Sequence, residues 1–258
     1  MMDQDSARQV TILKVVLLVV IVGGWELSAR FGLIPVFWTS SPSLIAVAFW
    51  ESLKENEITY HTYITMQEAL AGLAAGAVVG VMLGLVLGVS RVLGAALEPF
   101  VIAMNSLPRV ALAPLIVMFV GIGFASKFLL AFSLVVVPIM LNTYEGIKAA
   151  DPQLINMMRV IHAKRYQVFY KVLLPNCVPW IFSALRVSIS FAIIGAIVGE
   201  FISARAGIGY MIDSAAGAFD TTGMIMPLIV LMVLAFSIDR AFVATSNRLL
   251  RWRDEALS

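Results

Sequence analysis

Residues 151–179 read DPQLINMMRVIHAKRYQVFYKVLLPNCVP. This stretch is polar and basic for nearly its whole length, and it interrupts a chain that is otherwise oily. Of the 258 residues, 60% are hydrophobic and 13% charged, against about 25% charged in a soluble domain. Such a composition specifies an integral membrane protein, built from helices because the apolar runs are long. The net charge of +2 is too small to suggest a nucleic-acid partner. A single cysteine, Cys177, allows no disulfide within the chain. His61 and His162 lie far apart in sequence and form no metal-ligand pattern. No G-x-x-x-x-G-K-[ST] motif occurs, so the usual loop for cradling ATP phosphates is missing.

On either side of the island the apolar runs predict six spans, at 11–29, 66–89, 100–120, 128–148, 179–202 and 224–246. Each is about long enough to cross roughly 30 Å of hydrocarbon at 1.5 Å per residue. The first run, flanked by Arg8 and Lys14, has the look of a signal peptide, but Asp3, Asp5 and Glu26 favour a retained helix. Ser41-Pro42-Ser43 reads as a helix start, and Ser43 to Leu53 as a helix lying at the membrane interface. Within the second span, Gly72, Gly76, Gly80, Gly84 and Gly88 recur every fourth residue. A step of four advances the stripe by about 40° around a 3.6-residue helix, so it winds around the helix. Small-residue rows of this kind let helix backbones approach closely, and packing within one subunit is the expected use.

The third span is expected to be broken. Asn105, Ser106, Pro108 and Arg109 sit inside it. A proline removes a backbone donor, and a charge at membrane depth is tolerated only against protein or a water-filled route. These four residues are the candidates for a substrate pathway; the alternative is a re-entrant turn from which Arg109 snorkels to an interface. Arg186, in the fifth span, requires a counter-charge, with Glu145 and Asp239 at similar depth.

Loop cations orient the spans. Arg8, Lys14, Arg91, Lys148, Arg159, Lys164, Arg165, Lys171, Arg248, Arg251 and Arg253 fall on one side, and Arg30, Lys54, Lys127 and Arg205 on the other. Eleven against four places both termini and the island in the cytoplasm. Within the island, Asp151-Pro152 is a helix-start signal. Leu154, Met157, Met158 and Ile161 follow at helical spacing as one apolar face. Ala163-Lys164-Arg165 marks a turn, and residues 167–173 predict a second short helix stopped by Pro175. Such a hairpin suits either a partner protein, for which methionines make adaptable groove fillers, or the lipid headgroups.

The island resembles the coupling loop of binding-protein-dependent ATP-binding-cassette (ABC) importer permeases. That family's pattern is E-A-A, three residues, G, nine residues, I-x-L-P. Here Asn156-Met157-Met158 stands in the first place, His162 replaces the glycine, Val172 the isoleucine, and Leu174-Pro175 is intact. The spacing is kept while the E-A-A letters and the glycine are not. His162 must then make the same turn, with a left-handed backbone uncommon outside glycine. Ser41-Pro42-Ser43, the run from Leu107 to Leu115 followed by Phe119-Val120-Gly121-Ile122-Gly123, Ala184-Leu185-Arg186, and the run from Glu200 to Tyr210 are similar to the nitrate, sulfonate and taurine branch.

The resemblance implies a type I ABC importer permease fold: six transmembrane helices with cytoplasmic coupling helices, in a single permease domain over residues 1–258. Its coupling loop would be 151–175. Asn156, Met157, Met158, Arg159, His162, Ala163, Lys164, Leu174 and Pro175 would couple the chain to the ATPase. The implied partners are a second permease copy, two ABC ATPase subunits that carry ATP and magnesium, a periplasmic solute-binding protein and the lipid bilayer. The chain itself would be no enzyme and would bind no cofactor. It would sit in the bacterial inner membrane, multi-pass, and move a small organic or oxo-anion such as a sulfonate, nitrate or carboxylate, or alternatively a pyrimidine- or vitamin-like heterocycle. The competing classes are an ion-coupled secondary transporter, which needs intramembrane carboxylates and for which no inverted repeat is evident, and a membrane scaffold.

Overall fold

The computed structural model describes residues 4–249; Arg251 and Arg253 of the basic tail lie outside them. Among the described residues every regular element is helical. In chain order these are α1 (Gln4–Arg30), α2 (Val36–Thr39), α3 (Pro42–Lys54), α4 (Glu57–Val89), α5 (Arg91–Ser106), a 3-10 turn (Arg109–Leu112), α6 (Ala113–Val120), α7 (Phe124–Lys148), α8 (Pro152–Val160), α9 (Arg165–Val168), a π-turn (Phe169–Leu173), α10 (Leu174–Ser203), α11 (Ile208–Gly217) and α12 (Thr221–Leu249). Five helical stretches are long and apolar enough to cross a membrane: Arg8–Arg30, Glu57–Val89, Phe124–Lys148, Arg165–Ser203 and Thr221–Arg248. The pair Val92–Ser106 and Arg109–Val120, bent by 77° at its break, makes a sixth. The helices outrun the apolar stretches because a helix, once nucleated, gains one hydrogen bond per added residue even through polar turns.

The chain forms two compact units. The first takes in the described residues of 1–61 and 211–231. Ser41 caps α3, its hydroxyl accepting from the Leu44 amide, with Pro42 in the first turn. The Ser43 amide, a second free donor of that turn, donates to Glu26 Oε2 at 3.0 Å. Ile45, Ile58 and Met226 bury one another, with Trp25 and Met211 packed against them. The hydroxyls of Ser40 and Thr222 meet at 2.7 Å. Thus α3, expected as an interfacial helix, also contributes Ile45 to a small core.

The second unit takes in the described residues of 62–210 and 232–258, and α7 is its spine. The α4 glycines lie along one side of it. A Cβ added at Gly72 would fall 2.5 Å from Ala131 Cβ, at Gly76 2.7 Å from Val135, at Gly84 2.5 Å from the Met140 carbonyl, and at Gly88 2.6 Å from Ile147. Successive glycines thus meet successive turns of α7, so the two helices run parallel and wrap about each other along rows of period four. The stripe is used inside the subunit. On another side α10 runs antiparallel: Gly195 abuts the Ala131 backbone, Gly199 abuts Lys127, and Gly146 of α7 receives Trp180.

Four expectations need correcting. Arg91 is the first residue of α5, where Ser90 supplies the cap, and not a loop residue. Lys127 belongs to the first turn of α7 and is buried; its ammonium donates to the Ser203 carbonyl at 3.4 Å, so it is not a free loop cation. The stretch between the fifth and sixth expected spans, where no helix is expected, contains α11, whose Ile208 and Ile212 are buried one turn apart. Pro175 does not stop a short helix. A helical proline collides with the carbonyl four residues back, here that of Lys171. The π-turn just before it widens the helix, with the Leu174 amide reaching back five residues to the Phe169 carbonyl. The helix therefore continues from Arg165 to Ser203 as one stretch of 39 residues.

Gly84→Ala should lower the thermal stability of the detergent-purified chain by about 1–3 kcal/mol, the usual cost of overpacking. Gly23→Ala, where an added Cβ meets nothing within 4 Å, should leave it unchanged or slightly raised. Equal melting temperatures for wild type and Gly84→Ala would contradict the seam.

Candidate functional site

The island forms an exposed hairpin whose turn has a defined chemistry. Asp151 caps α8, its Oδ1 accepting from the Gln153 amide at 2.7 Å. At the other end, the His162 amide donates to the Arg159 carbonyl and the Ala163 amide to the Met158 carbonyl, both at 2.9 Å. This pair of bonds is a Schellman closure, whose first residue beyond the cap adopts a left-handed conformation and is usually glycine. That residue is His162, with φ 56°. The same closure places Ala163 opposite Met158, the apolar pair that accompanies the motif. The next helix starts at once: Gln167 reaches back so that its Oε1 accepts from the Lys164 amide at 2.7 Å.

The hairpin turns an apolar edge outward. Met157 is 65% and Val160 78% exposed, with Leu154 and Ile161 also exposed. Met158 is half-buried, as are Ala163, Leu174 and Pro175, while Asn156, Arg159, His162 and Lys164 are exposed. The sequence-predicted loop residues therefore separate. Asn156 to Lys164 gather at the turn, with Asn156 Oδ1 accepting from Arg159 at 3.3 Å. Leu174 and Pro175 lie in the long helix that follows, beside Asn176, whose amide donates to the Gly146 carbonyl of α7 at 2.9 Å.

In the broken span, Asn105 and Arg109 come together. One guanidinium nitrogen of Arg109 donates to Asn105 Oδ1 at 3.1 Å and the other to the Ser133 carbonyl of α7 at 3.0 Å. Ser106 turns back on its own helix, donating to the Ile102 carbonyl at 3.1 Å. Pro108 precedes the 3-10 turn. Both terminal nitrogens of Arg109 are thus engaged, one spanning the break to Asn105 of α5 and the other fastening it to α7. Arg186 selects Asp239 of the two candidate carboxylates, in a bidentate pair at 2.7 and 3.1 Å. Glu145 lies near Lys148 instead, at 3.8 Å.

A second cluster, which the residue pattern does not single out, sits where α4 and α7 begin and α10 ends. Glu200, 1% exposed, accepts from Thr65 Oγ1 at 2.7 Å and from the Gly209 amide at 2.6 Å. Thr65 in turn accepts from the Ile208 amide at 2.8 Å. Gly207, at φ 116°, passes so close that a Cβ there would lie 2.1 Å from Glu200 Oε1. Glu68, 3% exposed, lies beside Glu200 and within the field of Lys127. The available signal was two carboxylates and a lysine inside or beside apolar runs, where ionisable groups are rare and tend to carry function.

Residues 76–251 match the family described as the binding-protein-dependent transport system inner membrane component. The chain belongs to that family. This permease is 36% identical over 228 residues to the riboflavin transport system permease protein RibX of Chloroflexus aurantiacus, covering 88% of this chain and 85% of that one. It is 29% identical over 235 residues to the putative aliphatic sulfonates transport permease protein SsuC of Bacillus subtilis, covering 91% and 85%. Among solved structures it is similar to the MetNI methionine ABC transporter in an inward-facing form, with TM-score 0.62 and 20% identity over 73% of this chain and 92% of that one. The permease is therefore a multi-pass ABC importer subunit, a transport component and not an enzyme. Family membership also decides against the ion-coupled and scaffold classes.

His162→Gly relieves a left-handed residue at a cost elsewhere in chain freedom; the first effect is about 1–2 kcal/mol and the second about 0.5–1 kcal/mol. The net expectation is a tighter turn. Hydrogen exchange at the Ala163 amide should slow in the variant, and faster exchange there would contradict the Schellman assignment.

Proposed function

We propose that this permease carries a small solute from the outer face to the cytoplasm by alternating access, as one permease domain paired with a second copy of itself. Two ABC ATPase subunits, holding ATP and magnesium, receive the hairpin of residues 151–175 from the cytoplasmic side. A solute-binding protein delivers cargo to the other face. The observation that carries this reading is the closed turn at His162, which presents Leu154, Met157, Val160 and Ile161 as a bare apolar edge on a loop whose flanking cations favour the cytoplasm. An uncovered apolar edge on a helix is a groove-filling element. Closure of the ATPase pair moves the hairpin, and the spans exchange between inward-open and outward-open states as rigid bodies. No bond is made or broken in this chain; hydrolysis elsewhere biases two states.

The cargo has two readings, a small organic or oxo-anion and a vitamin-like heterocycle. The names of the relatives support both. The geometry of Arg109 favours the heterocycle, because two of the five guanidinium donors already hold the side chain to Asn105 and Ser133, a fastening role that an oxo-anion would have to compete with.

A cysteine at Met157 in the complete transporter should crosslink to the ATPase subunit, in a yield that changes when ATP and orthovanadate are added. Crosslinks that find only lipid would sink the docking role. Arg109→Ala should reduce uptake of every cargo together through loss of the fastened break. A loss confined to anionic cargo would restore the anion-gate reading.

A further inference from the structure

The cluster at the start of α4 borders a cavity of about 570 Å³ lined in part by Ile64, Gln67, Glu68, Phe124, Lys127 and Arg205. That volume is ample for a small organic solute, since ligand sites commonly span about 300–1,000 Å³. Its lining is unusual for a membrane-embedded chain in carrying both signs of charge. The polar groups around it are satisfied with one exception at depth. Both oxygens of Glu200 accept hydrogen bonds, and Lys127 donates to the Ser203 carbonyl. Glu68 is 3% exposed, and its Oε2 has no hydrogen-bond partner among the described residues. A buried carboxyl oxygen without a donor is costly. Nearer the surface, Arg205 is exposed and makes no ion pair among the described residues.

We propose that this cavity is the first cargo site of the permease and that it selects a neutral, ring-shaped solute whose edge sets an N–H donor beside an oxygen acceptor. The N–H meets Glu68 Oε2, the acceptor meets Arg205 at the rim, and the ring face lies against Phe124, whose side chain is half exposed. Neutrality follows from the surroundings. An oxo-anion would meet the carboxyl of Glu68, with Glu200 beside it, and an ammonium would meet Lys127 and Arg205. An uncharged donor–acceptor edge, as in an amide or imide ring, meets both signs without repulsion and without the desolvation cost that a charged or zwitterionic solute carries. The loop-charge count sets Arg205 toward the outer face, where cargo arrives, and Lys127 lines the same cavity. The proposal rests on the heterocyclic-cargo reading given above and adds a place and a selection rule to it.

The test uses the complete transporter, with its ATPases and binding protein, in proteoliposomes. Wild-type uptake is measured first with riboflavin, uracil and ethanesulfonate. Uptake of a ring compound is expected; uptake of ethanesulfonate alone, or of neither ring compound, overturns the cargo reading and this proposal with it. Given ring uptake, Glu68→Gln and Arg205→Ala should each lower it at least tenfold while basal ATP hydrolysis stays within twofold. In a Gln67→Cys variant, a membrane-impermeant thiol reagent should block uptake, and the transported ring compound should slow the labelling at least threefold. Cys177 is buried and does not compete. Unchanged uptake in both substitutions, with no protection of the cysteine, overturns the site while leaving the cargo reading intact. Protection by the binding protein without cargo overturns it in favour of a docking contact. If Glu68→Gln fails to accumulate in the membrane, the Gln67→Cys labelling decides alone.

Discussion

The contact on which the second unit depends is the approach of two helix backbones to α7 from two directions. In lipid no hydrophobic force draws helices together, so association rests on close packing and on the hydrogen bonds that closeness allows. Glycine at every fourth position of α4 brings that helix against Ala131, Val135, Ile139, Thr143 and Ile147 in turn, and Gly195 and Gly199 bring α10 against Ala131 and Lys127. Dispersion attraction falls off steeply with even a small gap. A side chain anywhere along these seams would therefore weaken contacts over several turns.

The polar features of the unit are placed by this packing. At one end, close approach of α4, α7 and α10 lets Thr65 and Lys127 reach Glu200 and Ser203, and the loop after α10 is tied down through the amides of Ile208 and Gly209. A buried carboxylate is tolerable there because each of its oxygens has a donor. Farther along, the bend after Ser106 frees backbone groups, and Arg109 binds the break to the Ser133 carbonyl. At the opposite end of α7, Lys148 lies within reach of both Glu98 and Glu145, just before the hairpin leaves.

Much of this was legible in the residues. Run length and hydropathy locate the spans, the proline and polar cluster at Asn105 to Arg109 marks the broken one, and the spacing from Asn156 to Pro175 marks the hairpin and its turn at His162. What escaped the sequence is pairwise. Helical period shows that the α4 glycines form a stripe but not that α7 receives it. Depth alone offers Arg186 two carboxylates, and only the packing selects Asp239. Lys127 reads as a loop cation because glycines precede it, yet it folds inward to a carbonyl contributed by a helix far along the chain. Pro175 reads as a stop because a π-turn, which absorbs the missing donor, has no sequence signature of its own. Glu68 stands a residue after Gln67 at the edge of an apolar run, where a surface position and a buried one look alike.

The uninterrupted helix from Arg165 to Ser203 has a mechanical consequence. Its 39 residues, at about 1.5 Å each, make a rod of roughly 58 Å. One tip begins three residues after His162, and the other ends three residues after Glu200. A stiff rod tilting about its midpoint by roughly 5° displaces each tip by about 2.5 Å in opposite senses, the scale of a rigid-body switching step. The hairpin and the buried carboxylate thus stand at the two ends of one rod, so a tilt that moves one must move the other.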